Sequence, residues 1–378
     1  MKVLINGVAV RRGGTETWLA SLVPALARVG ENVEFTLIVR KSRAQLYSPA
    51  RNLEIIAVPD ESVRVWWKRL AFEHCWIPIR NIRYRSDVHF QADEMLSPVI
   101  TRLGISTVAV FHTTSKVLSE DLRAGLLRGL YARFLRNRAP RNASMLVTVS
   151  QEMAADISGY ARPFGCKLRI IPHGVNHELF YCQPAEAQPL RRFGVLRPYL
   201  LSISNRFPWK NYARLVEAFH RALTGFRDEA DLVLIGNPVD EAVERNIAGY
   251  IREHNLLTRV HILKGLPQTD LPRIYSGARA YVFPSLAESF GMTVLEAMAC
   301  GVPVAVSNRE PLPEICGEAA VYFDPLNTDQ MSTCLLAVEG DERLRSSLIQ
   351  KGIARAHSFT WEHAAEQYLE VLGEVARS

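Results

Sequence analysis

The sequence predicts an α/β protein of two doubly wound, Rossmann-like domains, and three observations lead there. The chain has 378 residues, more than one hydrophobic core usually serves. Strand-like apolar runs alternate with helix-like segments almost throughout, the pattern of parallel sheets with crossover helices. A stretch near the middle, residues 181–198, carries Pro184, Pro189 and Pro198, has neither helical nor strand period, and reads as a linker between two such series.

In the first series, strands are expected near 2–6, 33–39, 54–58, 87–90, 107–111, 145–149 and 168–171. Most are continuous runs rich in Val and Ile, as strands covered on both faces require. Helices fall between them, notably at 15–29 and 119–137. The second series opens with Tyr199-Leu200-Leu201-Ser202-Ile203-Ser204 and a helix near 211–223. It continues with Leu232-Val233-Leu234-Ile235-Gly236 and strands at 260–263, 280–283, 303–306 and 320–323. The predicted domains are 1–186 and 187–360, with a last helix in 361–378 expected from topology to pack back on the first. Ligands of doubly wound sheets bind beyond the carboxyl ends of the strands, so those ends are where functional residues are sought.

Composition narrows the class. Hydrophobic residues make up 48% and charged residues 22%, which excludes a disordered chain. No apolar run approaches the roughly 18 residues that span a bilayer. Met1-Lys2-Val3-Leu4-Ile5-Asn6 enters a strand directly, without a signal peptide's apolar stretch, so a cytoplasmic protein is expected. The six cysteines (75, 166, 182, 300, 316 and 334) include no C-x-x-C pair, and reduced thiols rather than disulfides or a zinc site are expected. The net charge of +6 is uneven: residues 1–186 hold 25 Lys/Arg against 16 Asp/Glu, and the remainder 20 against 23. A basic first half fits an anionic surface or substrate, although surface charge also varies between domains for no functional reason.

The residues with chemical potential cluster at predicted strand ends. Tyr281-Val282-Phe283 ends at Pro284, a polar loop carries Glu288, and Gly291 opens a helix containing Glu296. The amides around Phe290, Gly291 and Met292 would be donors at that helix N-terminus, suited to the oxygens of a sugar or phosphate. Glu288 could instead be a dipole-favoured acid near a helix start. Glu296 lies within Val294-Leu295-Glu296-Ala297-Met298-Ala299, and a carboxylate on a buried face needs partners. The two acids also have the look of a general acid–base pair. Ser204-Asn205-Arg206-Phe207-Pro208-Trp209-Lys210-Asn211 follows the first strand of the second series. Arg206 and Lys210 there suit a diphosphate, one as a bidentate fork and the other as a point charge. As plain surface cations before a helix they would be poorly placed. Near the N-terminus, Gly13-Gly14 precede a helix and let backbone approach a ligand closely. His112 follows the strand Thr107-Val108-Ala109-Val110-Phe111 and so stands at a carboxyl end, though a lone histidine is more often structural.

Taken together, the E-x7-E spacing of Glu288 and Glu296, the R-x-x-x-K pair Arg206 and Lys210, and the glycine pair resemble the retaining glycosyltransferases of family GT4. The segment Ile171-Pro172-His173-Gly174-Val175-Asn176 is similar to the family's I-P-N-G-V-D, departing from it at His173 and Asn176. The likeness runs along essentially the whole chain. It implies the GT-B fold, two Rossmann-like domains facing each other across a cleft. It further implies that Glu296 binds the donor's ribose and that Glu288, with the amides of Phe290 and Gly291, holds the transferred sugar. Arg206 and Lys210 would neutralise the diphosphate, aided by the Gly14 amide, and His112 would face the sugar near the reacting centre. Donor-base recognition in this fold commonly uses backbone, here around Lys264-Gly265.

Fixed cations stabilise a departing nucleoside diphosphate electrostatically. With no D-x-D motif to hold a metal, Arg206, Lys210 and helix amides would take its place. No cofactor is then expected: the nucleotide sugar, in GDP or UDP form, is the substrate, with GDP-mannose preferred over a UDP-hexose. Retention would follow front-face substitution, the departing phosphate deprotonating the acceptor.

The acceptor is expected on the first domain as a saccharide or lipid-linked glycan, such as a lipopolysaccharide or O-antigen precursor. Two segments there are basic and apolar. One is the helix from Ser119, with Leu122, Leu126, Leu130 and Phe134 as a stripe and Arg123, Arg128, Arg133, Arg136 and Arg138 beside it. The other is Val63-Arg64-Val65-Trp66-Trp67-Lys68-Arg69-Leu70, with Arg80, Arg83 and Arg85 beyond. Either would suit peripheral contact with an anionic membrane; either would equally suit an ordinary helix with its stripe on the sheet and its arginines in water. Competing functions are a sugar-nucleotide epimerase or hydrolase of the same fold, and, from pI ≈ 9.0, a nucleic-acid-binding protein. No recognisable nucleic-acid module supports the latter, and no nucleic-acid partner is expected.

Overall fold

A computed structural model of the chain describes residues 1–10, 13–113, 134, 136–161, 167–183, 189–227 and 229–377. They divide into two units, one of residues 1–174 with 361–378 and one of residues 175–360.

The first unit holds a parallel seven-stranded sheet of β1 (Lys2–Asn6), β2 (Glu34–Arg40), β3 (Leu53–Val58), β4 (Val88–Gln91), β5 (Ser106–Phe111), β6 (Met145–Thr148) and β7 (Lys167–Ile170). Its order is β3-β2-β1-β4-β5-β6-β7. The sheet therefore winds outward in both directions from β1, and the reversal lies between β1 and β4. Residues 3–6 of β1, all of β4 and residues 107–111 of β5 are buried; β1 and β5 accordingly carry the apolar runs Val3-Leu4-Ile5 and Val108-Ala109-Val110-Phe111, whereas β4 alternates Val88 and Phe90 with the buried polar His89 and Gln91. Helix α1 (Gly14–Val29) follows β1. Helix α2 (Trp66–Ala71), a π-helical turn (Phe72–Trp76) and helix α3 (Ile77–Tyr84) form the crossover that leads to β4.

The chain's closing helix, Trp361–Ala376, belongs to this unit and packs on α1. Its Tyr368 is buried edge-on against Phe90 at 5.6 Å, with the Trp18 ring 6.3 Å away. Ion pairs reinforce the apolar contact: Arg28 to Glu362 at 2.5 Å, and Lys167 and Arg169 to Glu374 at 2.7 and 3.2 Å. These pairs are exposed and contribute little individually; the aromatic packing does most of the holding.

The second unit repeats the winding with β8 (Tyr199–Ile203), β9 (Asp231–Ile235), β10 (Val260–Leu263), β11 (Ala280–Phe283), β12 (Val304–Ser307) and β13 (Ala320–Phe323). Their order is β10-β9-β8-β11-β12-β13, with the reversal between β8 and β11. Helix α4 (Tyr212–Ala222) follows β8 and buries Tyr212, Leu215, Val216, Ala218, Phe219 and Ala222, the one-sided spacing of a helix lying on a sheet. Helices α5 (Glu241–Glu253) and α6 (Met292–Ala299) follow β9 and β11.

Two expectations need correction. The division expected after residue 186 lies instead at Gly174/Val175. The amide of Val175 donates to Phe359 O at 3.0 Å, Phe180 meets Tyr275 edge-on at 6.0 Å, and a Cβ on Gly301 would meet Cys182 Sγ at 2.9 Å. Residues 175–182 are thus already tied to the second unit; the prolines mark irregular chain, not the change of body. The basic helix expected over 119–138 lies largely outside the described residues, though 136–142 are helical. Where it is described, it does not follow the reading of a stripe packed on the sheet with its arginines in water. Phe134 is 48% exposed beneath the Arg138 guanidinium, whereas Arg136 is buried over Phe111 between Glu94 and Asp156. Two carboxylates and a ring face make that burial tolerable for a guanidinium.

Since the closing helix supplies Tyr368 to the core of the first unit, Tyr368→Ala is expected to cost about 3–5 kcal/mol. Chemical denaturation followed by hydrogen exchange should show the loss in β1, β4 and α1, with protection of β8 to β13 unchanged.

Candidate active site

In the second unit the loops after β8 and β11 emerge on either side of the strand-order reversal, and they carry most of the residues singled out in the sequence. β8 and β11 pair only through Ala280↔Leu200 and Tyr281↔Leu201. Beyond that the strands diverge, and Tyr281 donates its hydroxyl to Ile203 O at 3.2 Å in place of a ladder bond.

The two loops are fastened to each other. Leu286 N donates to Trp209 O at 2.8 Å, and Ser285 Oγ to the same carbonyl at 3.2 Å. Asn211, in the left-handed conformation (φ 60°) that asparagine tolerates well, sends its buried Nδ2 to Pro284 O at 3.1 Å and Pro325 O at 2.8 Å. Phe207 stacks on Trp209 at 4.3 Å. This scaffold sets Lys210 Nζ 2.5 Å from Glu288 Oε1 and 4.9 Å from the Phe283 ring centroid. Both side chains of the pair are at most 15% exposed.

Glu288 is followed by the start of α6. Gly291 has φ 114°, a backbone conformation that calls for glycine, and a Cβ there would also meet Leu312 Cδ2 at 2.9 Å. Among the described residues the amides of Gly291 and Met292 donate to nothing and no side chain caps the helix. They are available donors with the positive end of the helix behind them. Phe290 is buried against Phe359 at 6.0 Å, and its backbone is not part of that free set.

Glu296 lies a turn further on, 8% exposed. Its Oε2 accepts from the Tyr275 hydroxyl at 3.0 Å, while Oε1 has no partner among the described residues. Burial pushes its carboxyl up to about 7, only partly offset by the Tyr275 bond. A carboxylate so placed gains from any hydroxyl-bearing ligand that completes its hydrogen bonds.

Arg206 is buried, and its fork is partly used: Nε donates to Glu244 Oε1 at 2.6 Å and Nη1 to Gly236 O at 2.5 Å. It is therefore not the open bidentate group expected, and Nη2 is the edge left for a ligand. Lys264 and Gly265 follow β10 at the sheet's edge and are exposed. Gly265 N donates to Asn237 Oδ1 at 3.4 Å, and Asn237 in turn donates to Asn205 Oδ1, one residue before Arg206.

In the first unit, His112 follows β5 and is buried edge-on to Trp18 at 4.2 Å, with His173 stacked 5.7 Å away. The ring is bonded to the backbone of Ala92, which leaves Nε2 buried and without a partner among the described residues. Burial holds its pKa down to about 3, so the ring is neutral and Nε2 offers a lone pair rather than a proton. Gly13 (φ 115°) precedes α1, and the Gly14 amide has no acceptor among the described residues.

The structure thus brings Arg206, Lys210, Glu288, Gly291 and Glu296 around one reversal and ties Lys264 and Gly265 to it through Asn237. Tyr275, Glu244 and Asn211, which hold Glu296, Arg206 and the loops, were missed by the sequence reading. Only the Asn before a helix carried any signal.

The arrangement has named counterparts. Residues 12–179 match the model of Glycosyltransferase Family 4, and residues 192–355 that of Glycosyl transferases group 1. The O-antigen chain mannosyltransferase B of Escherichia coli is 35% identical over 193 residues, covering 49% of this chain and about half (48%) of that protein. The GDP-mannose-dependent α-(1-6)-phosphatidylinositol monomannoside mannosyltransferase of Mycolicibacterium smegmatis is 24% identical, with 98% of both chains aligned. Among solved structures, sucrose-phosphate synthase from Thermosynechococcus elongatus superposes with a TM-score of 0.79 at 20% identity over 100% of both chains. Anabaena HepE in complex with UDP and glucose gives 0.78 at 18% over 99% of each. With two doubly wound sheets and with family models that together match both units, this chain belongs to the family 4 glycosyltransferases of GT-B fold.

Proposed function

We propose that this glycosyltransferase moves a mannosyl unit, with retention, from GDP-mannose to a glycan carried on a lipid of the cell envelope. The observation that carries the donor half is the Lys210–Glu288 pair, followed three residues on by the amides of Gly291 and Met292, which have no acceptor among the described residues, where β8 and β11 diverge. The mannose and the envelope glycan rest on the relatives, one an O-antigen chain mannosyltransferase and another dependent on GDP-mannose.

In this reading Lys210, the free edge of Arg206 and the two amides meet the diphosphate. Glu296 takes the ribose hydroxyls, and Glu288 those of the sugar. Lys264-Gly265 presents backbone to the base. In the first unit, the neutral His112 accepts a substrate hydroxyl at Nε2, and the Gly14 amide supplies one more donor for phosphate. The anomeric C–O bond breaks as its electrons pass to the diphosphate, where fixed positive groups stabilise them with no call for a metal ion. The acceptor oxygen bonds to the same face of the anomeric carbon, and its proton passes to a departing phosphate oxygen. With Glu288 paired to Lys210 and Glu296 bonded to Tyr275, neither is assigned as a nucleophile in this reading.

Peripheral membrane contact belongs to the same proposal. No described helix is long and apolar enough to cross a membrane. On α2 and α3, however, Trp67, Ile79 and Ile82 are each more than half exposed. Cations sit among the rings: Lys68 over Trp67 at 5.7 Å, and Arg80 over Trp76 at 4.7 Å and Tyr84 at 5.9 Å. Apolar side chains ringed by cations suit an anionic lipid surface. Ile79→Ser with Ile82→Ser should therefore reduce co-sedimentation with anionic vesicles while leaving donor binding unchanged. Equal binding to neutral vesicles would overturn the electrostatic part.

Lys210→Ala should weaken GDP binding by about ten- to a hundredfold, the value of a hydrogen bond to a charged group, with Glu288 then left uncompensated. Isothermal titration with GDP, UDP and ADP measures this and tests the base; a response to ADP alone would overturn the donor assignment. Release of free mannose across an acceptor panel, with no glycoside formed, would favour a hydrolase instead.

Glu296 gives a pH dependence of definite sign. Its carboxyl has a raised pKa of about 7 in the unliganded protein, and ribose hydroxyls favour the charged form, so nucleotide binding expels a proton. Affinity for GDP should be highest above pH 7 and fall as the pH drops below it. The same titration with Glu296→Gln should show weaker binding without that slope.

A further inference from the structure

The reversal in the first unit's sheet is filled differently from that in the second. Asn6 and Gln91, the last residues of β1 and β4, face each other in register, and both side chains are buried. Asn6 Nδ2 donates to Glu73 Oε2 and Gln91 Oε1, each at 3.0 Å. Asn81 Nδ2, which also donates to Ile77 O, lies 3.1 Å from His89 Nδ1. That makes Nδ1 the acceptor and leaves the His89 Nε2 proton for Gln91 Oε1, 3.0 Å away. With two donors aimed at its oxygen, the Gln91 amide has one orientation, and its Nε2 donates to Asp93 Oδ1 at 2.6 Å. Met95 N donates to the same oxygen at 3.0 Å. Asp93 itself is half-buried, and its Oδ2 has no partner among the described residues.

Such a network is costly to bury and gives the sheet nothing that apolar residues would not. What it does accomplish is to fix one carboxylate in one orientation at the carboxyl end of β4, the place where doubly wound sheets hold ligands. Two further atoms mark the spot as incomplete. Glu73 Oε1, on a side chain 2% exposed, and Arg69 Nε are buried without partners among the described residues. Arg69 also reaches Met95 Sδ with Nη2 at 3.7 Å. Glu73 stands on the π-helical turn Phe72–Trp76, a backbone form that recurs at functional sites.

We propose that Asp93, oriented by Gln91 and the Asn6–Glu73–His89 network behind it, binds the hydroxyls of a neutral saccharide, with Arg69, which reaches Met95 two residues along, as a further donor. A carboxylate that takes hydroxyl protons next to a guanidinium that gives hydrogen bonds matches groups that both donate and accept, as sugar hydroxyls do. The consecutive acids Asp93 and Glu94 disfavour an anion. That the saccharide is the acceptor rests on the transferase reading above; that it binds here does not. Gln91 acts through Asp93 and is a positioning residue.

The test uses the full chain and three probes, octyl glycosides of mannose, N-acetylglucosamine and galactose, followed by saturation-transfer NMR and competition titration. At least one should bind the wild type. Asp93→Asn should weaken that binding about tenfold or more, as loss of a charged hydrogen bond implies. Asp93→Glu should recover part of it, and Gln91→Ala should weaken it less than Asp93→Asn. The thermal shift with GDP should stay at the wild-type value in all three, a readout that general unfolding would change. Saturation transfer to none of the probes, or unchanged binding by Asp93→Asn, would overturn the proposal. A wild type that binds a glycoside but shows no shift with GDP or UDP would refute the donor reading and leave this one standing.

Discussion

The divergence of β8 from β11 is the constraint on which the geometry of the second unit's candidate site depends. Two paired positions hold the strands together, after which the Tyr281 hydroxyl closes the Ile203 carbonyl that a continuing ladder would have satisfied. The loops that leave these strands start apart and are drawn together again by Asn211, Ser285 and Leu286. Lys210 and Glu288 meet because of that return. In the first unit β1 and β4 stay in register to their last residues, and amide side chains rather than an ion pair occupy the reversal. One winding rule has produced two polar sites of different character, one centred on an ion pair and one on amide and imidazole groups strung between two carboxyls, Glu73 and Asp93.

Charges in the second unit are held in a balance that a ligand can change. A buried ion pair repays its desolvation only when geometry and hydrogen bonding are good, and Lys210–Glu288 meets that with a short contact and a ring face under the ammonium. Arg206 is similarly committed to Glu244 and a backbone carbonyl. Glu296 has one carboxyl oxygen without a partner among the described residues, and burial raises its proton affinity. The cations are therefore pre-positioned, which avoids reorganisation when charge develops on a leaving group, while the lone carboxylate is the part most altered by occupancy.

The strands were legible because parallel strands buried on both faces must be continuously apolar, and β5, β8 and β11 are. The motif residues were legible because they sit at fixed offsets from those strands: Lys210 and Glu288 each follow a strand end within a short loop. The partners were not. Tyr275 reaches Glu296 from another helix, and Glu244 reaches Arg206 from the helix after the neighbouring strand β9, contacts set by packing and invisible to spacing. The unit boundary was misplaced because prolines report backbone irregularity, whereas Val175 is assigned to its unit by a bond to Phe359, far along the chain. The burial of Arg136 was not legible for a related reason: Glu94 and Asp156 pair with the arginine, and no local pattern announces a buried guanidinium. Asn6, Glu73 and Gln91 were overlooked because each is a single polar residue in or beside an apolar run.

The return of the Trp361–Ala376 helix to α1 has a consequence for how the protein comes into being. The second unit is one uninterrupted stretch, and every contact within it can form once its last residue has left the ribosome. The first unit is split, and the pocket among Trp18, Phe90 and α1 that Tyr368 fills stays open until residues 361–376 have been synthesised. Although its sheet is made first, the first unit is completed only after the second.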